Sequence, residues 1–201
     1  MFLERTQNPL SAMIWEFESP RGHHLLFRVP ARINELSVEI KFCGASGIVT
    51  GSSYMITVPG GRFLIDCGMF QGTKTVRELN YSDFGFNPAD ISFVLLTHAH
   101  IDHSGLLPKL VKEGFTGKIF TTQATRDLLE YMLPDSANIQ ESEVRRLNKK
   151  NAHRGLREIS PIYTNEDATK TLEQLEPREI DGWFDLPLSG VKARQIGRAH
   201  V

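Results

Sequence analysis

The sequence predicts an α/β fold, and two observations lead to this class. Three short runs with strand character follow one another between residues 38 and 66, and turns that contain Gly or Pro separate them. A nearly all-apolar run at residues 91–96 then begins an alternation of strands and helices. Because this order places helices against a sheet, we expect an α/β sandwich and not a helical bundle.

The first three strands are predicted from alternation and from turn residues. Val38, Ile40 and Phe42 alternate with polar neighbours, which is the period of a strand with one buried face. Residues 53–58 and 62–66 form the next two strands, with a Pro-Gly-Gly turn between them. The segment that follows is expected to be a loop in which some of the aromatic side chains pack against the core, since together they would otherwise form an exposed apolar patch. These aromatic residues are Phe70, Tyr81, Phe84 and Phe86.

The later part of the chain is predicted to alternate between strands and helices. One helix is expected to end at Gly114, and a short strand to cover residues 118–121. Pro134 is expected to interrupt the long helical stretch that follows, so that a second helix begins after it. An amphipathic helix over residues 165–175 and a strand over residues 191–194 complete the pattern.

The composition excludes several classes of protein. Of the 201 residues, 40% are apolar and 23% are charged, as in an ordinary globular domain. No apolar run reaches the roughly 18 residues of a membrane-spanning helix. Cys43 and Cys67 are the only cysteines, which excludes a disulfide scaffold. With 23 basic and 24 acidic side chains the net charge is -1, so a strongly basic nucleic-acid surface is not visible in the totals and only a local patch is left open.

Both ends of the chain are expected to lie outside the domain. Residues 1–36 show no clean period and are predicted to be an atypical N-terminal extension. They lack the pattern of a secretory signal, so we expect a cytoplasmic protein. Residues 195–201 are predicted to be a non-native tail, because the codons ATC GGA AGA GCA CAC GTC encode its last six residues and match a common sequencing-library adapter. On this hypothesis the natural sequence continues beyond Arg194, and His200 is not a ligand.

A cluster of histidines directly after the apolar strand indicates a metal site. The spacing is His98-x-His100-x-Asp102-His103. Side chains of a strand alternate, so His98 and His100 point the same way if strand geometry persists. Imidazole and carboxylate groups are good ligands for zinc. The alternative, scattered core or surface histidines, is disfavoured by three His and one Asp within six residues.

At these residues the chain resembles the metallo-β-lactamase superfamily, whose second motif is H-x-H-x-D-H. The resemblance implies that His98 and His100 bind one zinc ion, and that Asp102 and His103 bind a second. The family's first motif is an Asp at the end of an early strand, and Asp66 matches it. There the carboxylate holds the ligand loop in place. Asp66 and Asp102 are thus the candidate catalytic carboxylates.

The flanking segments resemble the β-CASP branch of that superfamily. The resemblance covers roughly residues 38–194, although the branch more often has His where Asn138 stands. It implies an RNA-processing nuclease, with DNA as the substrate of a minority of members. The implied reaction is phosphodiester hydrolysis with two zinc ions and a bridging hydroxide. The similar segments are residues 42–53, 66–72, 122–128, 135–141, 148–152 and 162–168.

The family pattern also contains residues that this chain does not hold before residue 195. These are a third-motif His, a fourth-motif Asp and an inserted domain with a general acid. Residues 37–194 are therefore expected to be the N-terminal half of the metallo-β-lactamase αββα sandwich, truncated before its second half and before the β-CASP insertion. We expect this chain to be inactive alone. Two alternatives are left open: a thioesterase or lactonase of the same fold, and a non-catalytic scaffold paralogue.

A basic segment near residue 150 has two interpretations. Arg145, Arg146, Lys149 and Lys150 could touch the backbone of a nucleic acid. The neighbouring Glu141 and Glu143 favour the other interpretation, in which these residues form a solvated helix face. RNA is the expected partner with DNA as the alternative, no membrane is expected, and the oligomeric state is left open.

Overall fold

The computed structural model of the chain describes residues 12–18, 23–30 and 38–198, with the side chains of residues 38–196. It contains ten strands and five α-helices within these ranges. The strands are β1 (Ala12–Glu18), β2 (His23–Pro30), β3 (Glu39–Phe42), β4 (Tyr54–Val58), β5 (Gly61–Ile65), β6 (Ile91–Leu95), β7 (Lys118–Thr122), β8 (Leu175–Arg178), β9 (Trp183–Asp185) and β10 (Lys192–Arg198). The helices are α1 (Lys74–Glu78), α2 (Ile101–Ser104), α3 (Leu107–Lys112), α4 (Gln123–Ala152) and α5 (Asn165–Gln174).

The strands form two sheets. The larger sheet has six strands in the order β3-β4-β5-β6-β7-β8, antiparallel from β3 to β5 and parallel from β5 to β8. The smaller sheet has the order β1-β2-β10-β9 and is antiparallel. Helices connect the parallel strands, since a parallel pair needs a long crossover. The predicted α/β class is confirmed.

Two apolar cores lie on opposite faces of the larger sheet. Phe63 and Ile65 of β5 point into one core and Leu64 into the other, as the two-residue period of a strand requires. The first core is completed by Val191 and Ala193 at the smaller sheet, so it fills the space between the sheets. The second core is completed by residues of the helices, and we call it the helix-side core. The described chain therefore has three layers: helices, the larger sheet and the smaller sheet.

The prediction that Pro134 interrupts its helix is wrong, because α4 runs through it for 30 residues. A proline inside a helix costs about 3 kcal/mol. Leu129, Leu133 and Ala137 lie on one face of this part of α4, and all three are fully buried in the helix-side core. Tertiary packing of that face offsets the local cost, and such packing is not visible in the sequence alone.

The N-terminal and C-terminal segments both contribute to the smaller sheet. Residues 1–36 contain β1 and β2, although the sequence shows no clear strand period there. Strand β10 continues through residues 195–198 and pairs with β2. Gln195 in this strand donates a hydrogen bond from Nε2 to the backbone carbonyl of Thr97 at 2.5 Å. The non-native origin of residues 195–201 stays a prediction.

The loop before β6 packs much as expected. Phe70, Phe84 and Phe86 lie against the helix-side core, whereas Tyr81 is 57% exposed. The loop also contains α1 and two short 3-10 turns, which the sequence did not indicate. Across the described residues, no helix has both the length and the apolar character to cross a bilayer.

Candidate metal centre

The His98–His103 motif lies at the carboxyl end of β6, at the edge where parallel strands commonly carry ligand sites. Strand β6 ends at Leu95, so strand alternation does not reach the histidines. The loop nevertheless brings His98 and His100 together, with 3.0 Å between Nε2 of His98 and Nδ1 of His100. The two rings meet edge to face with their centroids 4.7 Å apart. The condition of the prediction, that strand geometry persists to His100, is therefore not met, and it is the loop that brings the two side chains together.

Asp102 and His103 lie on the short helix α2, next to the histidine pair. The ring of His103 is tilted against that of His98 with 4.0 Å between centroids. Nε2 of His103 lies 3.8 Å from Oδ2 of Asp102. His98, Asp102 and His103 are buried, whereas His100 is exposed. The structure therefore gathers all four motif side chains in one place, open to solvent on the His100 side.

Asp66 anchors this cluster from the end of β5. Its side chain is fully buried, and its backbone adopts a left-handed conformation with φ of 60°. The carboxylate accepts hydrogen bonds from Nδ1 of His103 (2.6 Å), from the backbone amide of Thr97 (2.9 Å) and from Oγ of Ser52 (3.1 Å). Oγ1 of Thr97 is a fourth donor at 2.8 Å. Asp66 thus contacts the motif loop from within.

Backbone hydrogen bonds fix the segment after Asp66 against the motif. The amide of Cys67 donates to the carbonyl of His103 at 2.8 Å, and the amide of Ser52 donates to the carbonyl of Asp102 at 2.8 Å. At Gly68 the chains approach so closely that a Cβ would lie 1.8 Å from the carbonyl oxygen of Asp102. Only glycine fits this contact, so the Asp-Cys-Gly order has a steric reason.

Sequence reasoning missed three contributors to this cluster, namely Ser52, Thr97 and Gly68. Thr97 and Gly68 each stand within two residues of a motif residue, which is the signal that could have identified them. Ser52 lies in the segment that resembled the β-CASP branch, but nothing in the sequence shows that its hydroxyl reaches Asp66.

The two cysteines are not arranged as metal ligands. Cys67 is completely buried next to Asp66, and Cys43 is partly buried. Burial raises the pKa of both thiols, so both stay protonated at neutral pH. A thiolate is the form that binds metal, so the protonated thiols favour a packing role for these residues.

The donor set of the motif fits a zinc ion in its chemistry and in one measured spacing. In the part of the chain that the structure describes, no group of three His, Cys, Asp or Glu side chains is arranged to hold a metal. A tetrahedral zinc with bonds of about 2.05 Å places two nitrogen ligands about 3.3 Å apart. The 3.0 Å between His98 Nε2 and His100 Nδ1 is close to that separation. The carboxylate of Asp66 on Nδ1 of His103 is the kind of partner that orients a metal-binding imidazole.

The basic segment lies apart from this centre. Arg145, Arg146, Lys149 and Lys150 are exposed on the last third of α4. That helix begins directly after β7, at the same sheet edge as the motif, and residue 145 is about 33 Å further along its axis. Arg145 also pairs with Glu141 at 3.9 Å. The structure therefore does not bring these cations to the motif.

Curated relatives of this chain include proteins named for RNA processing. Ribonuclease TTHA0252 of Thermus thermophilus is 37% identical over 154 residues, which are 77% of this chain and 31% of that protein. Transcription termination factor FttA of Methanocaldococcus jannaschii is 31% identical over 106 residues, 53% of this chain and 17% of the relative. Cleavage and polyadenylation specificity factor 73 of Drosophila melanogaster is 29% identical over 150 residues, 74% of this chain and 20% of the relative. The chain thus spans less than a third of the length of each of these relatives.

These relatives agree with the resemblance to the β-CASP branch that the sequence motifs indicated. Residues 46–183 match the metallo-beta-lactamase superfamily, a span that contains Asp66 and the whole His98–His103 motif. This chain therefore belongs to the metallo-β-lactamase superfamily.

Proposed function

We propose that the gene product is a zinc-dependent ribonuclease and that this chain carries part of its metal centre. The observation that carries the proposal is the gathering of His98, His100, Asp102 and His103 around the buried carboxylate of Asp66. The relative with 37% identity is by name a ribonuclease, which favours RNA over a small thioester or lactone as the substrate. A superfamily fold by itself would not choose between these substrates.

In this proposal each motif residue has a defined role. His98 and His100 would hold one zinc ion, and Asp102 and His103 would hold the second. When bound, the metal would lower the pKa of water and take up negative charge on the phosphoryl oxygens. Asp66 accepts a hydrogen bond from Nδ1 of His103, so the neutral ring would carry its proton on Nδ1 and present an unprotonated Nε2 to a metal. The same contact holds the imidazole in one orientation, so that it need not reorganise when substrate arrives.

RNA is the proposed partner, and Lys149 and Lys150 are proposed contacts to its phosphates. Both side chains are exposed on α4. Their distance from the motif means that they would position the strand beyond the reacting bond and take no part in the chemistry. The cytoplasmic location inferred from the sequence stays a prediction.

The test compares the intact gene product with the 201-residue chain on a labelled single-stranded RNA. We expect the intact protein to cleave RNA with zinc and to lose the activity in Asp102→Asn, because that change weakens an oxygen ligand of the proposed second ion. Asp83→Asn, an exposed carboxylate in the loop before β6, is the matched control and should leave the rate unchanged. Cleavage of a thioester or lactone instead of RNA would contradict the proposal.

The 201-residue chain alone should not cleave RNA, because the ligands seen here are fewer than a two-zinc site requires. Zinc-dependent cleavage by the purified chain, absent in its His98→Ala variant, would show that this part of the proposal is wrong.

A further inference from the structure

Thr97 lies directly before the motif, and its hydroxyl contacts three side chains of the candidate centre. Oγ1 is 2.8 and 3.0 Å from the two carboxylate oxygens of Asp66. It is also 3.0 Å from Nδ1 of His98 and 3.5 Å from Nδ1 of His103. Thr97 is 2% exposed, so water does not compete strongly for these contacts. The roles proposed above do not use this hydroxyl.

The number of protons in this cluster determines the direction of each hydrogen bond. A hydroxyl has one proton to donate, and an ionised carboxylate can only accept. The Thr97 proton is therefore donated to Asp66, and Oγ1 is left as an acceptor for His98. The neutral ring of His98 must then carry its proton on Nδ1, which leaves an unprotonated Nε2.

The unprotonated Nε2 of His98 faces His100. Nδ1 of His100 lies 3.0 Å away, so these two nitrogens can share either one proton or one metal ion. If the proton of His98 were on Nε2 instead, that atom could not bind a metal, and Nδ1 would face the Thr97 oxygen without a hydrogen to share. The hydroxyl of Thr97 thus decides which nitrogen of His98 is available.

We propose that Thr97 is a positioning residue that extends the action of Asp66 to His98. Asp66 sets the tautomer of His103 by direct contact, and it sets the tautomer of His98 through the hydroxyl of Thr97. One buried carboxylate thereby prepares two imidazoles with their Nε2 atoms unprotonated. The use of this arrangement for metal binding rests on the proposed function, whereas the tautomer itself is a property of the metal-free chain.

The first measurement is the nitrogen NMR spectrum of His98 in the metal-free 201-residue chain with labelled histidine. It is recorded at about pH 8, where an ordinary imidazole is neutral, and the signal is assigned with His98→Asn. We expect the wild-type chain and Thr97→Ser to carry the proton on Nδ1, because both have the hydroxyl. Thr97→Val has the same shape without the hydroxyl, so its His98 should shift toward the Nε2-protonated tautomer.

The second measurement is zinc affinity, determined by competition with a chelator. Loss of a hydrogen-bond partner behind a metal-binding imidazole typically weakens affinity about 10- to 100-fold, so we expect this loss in Thr97→Val and near-wild-type affinity in Thr97→Ser. Circular dichroism checks that each variant is folded. If Thr97→Val does not fold, the tautomer of the wild-type chain and of Thr97→Ser still decides the matter.

Two results would overturn the inference: a wild-type His98 with its proton on Nε2, or an unchanged tautomer in a folded Thr97→Val. If the tautomers are as expected but neither the 201-residue chain nor the intact gene product binds zinc, the positioning role of Thr97 is supported and the proposed metal function is contradicted.

Discussion

Asp66 is the residue on which most of the candidate metal centre depends. It is fully buried, and four donors from three residues converge on its two oxygens. Its left-handed backbone, with φ of 60°, turns the chain at the end of β5 so that the side chain reaches under the motif loop. Asp and Asn tolerate this conformation better than other residues with a Cβ, which makes Asn a clean substitution here.

We predict that Asp66→Asn weakens both folding and zinc binding. The amide has one acceptor oxygen, so its NH2 group must face a donor such as Nδ1 of His103. An unsatisfied buried pair of this kind costs about 1–3 kcal/mol in the free energy of unfolding, which urea denaturation measures. Zinc affinity should fall about 10- to 100-fold. Asp90→Asn is the control, since its side chain is 51% exposed and its stability and affinity should be unchanged. A variant as stable as the wild type would contradict the role of Asp66 described here.

The pairing of α4 with α5 shows how an element is held beyond its apolar face. The phenol of Tyr163, completely buried just before α5, lies 2.9 Å from Oγ of Ser136 in α4. The backbone amide of Asn165 donates to Oε1 of Glu141 at 3.0 Å. Residues 135–141 were identified in the sequence only by their resemblance to the β-CASP branch. These contacts give Ser136 and Glu141 a structural role in that segment. They also tie α4 to the start of α5 beyond Pro134.

Burial of Tyr163 predicts a loss of stability at alkaline pH. Burial raises the pKa of this phenol above its usual value near 10. Above that pH the unfolded chain loses the proton while the folded chain keeps it, so the free energy of unfolding falls as pH rises. One such group contributes a slope of at most about 1.4 kcal/mol per pH unit.

Urea unfolding between about pH 8 and pH 11 tests this, because the comparison spans the usual phenol pKa. Tyr163→Phe should be about 1 kcal/mol less stable than the wild type at pH 8, through the lost hydrogen bond, and its stability should fall less steeply above pH 10. Tyr131→Phe removes a hydroxyl from a ring that is 78% exposed and should match the wild type throughout. If the free energy of unfolding fell equally steeply with pH in Tyr163→Phe and in the wild type, burial of the Tyr163 phenol would not be the cause of the loss.

The basic end of α4 predicts a measurable salt dependence if it contacts RNA. Each lysine that neutralises a phosphate of a single strand contributes about 0.7 to the slope of log affinity against log salt, so Lys149→Ala with Lys150→Ala should reduce the slope by about 1.4 in the intact protein. Lys74→Ala with Lys118→Ala removes the same charge from exposed positions elsewhere. An equal change of slope in both double variants would mean that only net charge matters.

The elements that could be predicted from the sequence are those whose signal is local. Alternation around Ile40, the apolar run before His98 and the spacing in α5 each identified an element that the structure contains. Strands β8 and β9 were missed because they are three or four residues long, and their pairing depends on neighbours distant in sequence. The residues of the His98–His103 motif could be predicted from their spacing in the sequence. The roles of Ser52 and Thr97 could not, because their hydroxyls reach Asp66 only in the folded chain.

For the whole molecule, the layered arrangement explains how the four side chains of the His98–His103 motif are held in place although none of them lies on a strand. The two cores hold β5 and β6 side by side, and the ends of these parallel strands place Asp66 and the motif loop together. Of the residues gathered there, His100 alone among the motif side chains is exposed. A ligand that binds at this edge contacts β5, β6 and α2 together. Metal binding should therefore raise the free energy of unfolding of the whole domain.

We therefore predict that zinc stabilises the 201-residue chain against heat. Zinc at one hundred times its Kd should contribute about 2.7 kcal/mol, which for a chain of this size is roughly 5–10 °C in Tm by differential scanning calorimetry. Magnesium should have little effect, because imidazole is a poor ligand for it. His98→Ala with His100→Ala should abolish the shift, whereas His153→Ala, an exposed histidine at the end of α4, should keep it. A zinc shift of the same size in the His98 and His100 double variant would place the ion elsewhere in the chain and contradict the assignment of these two residues.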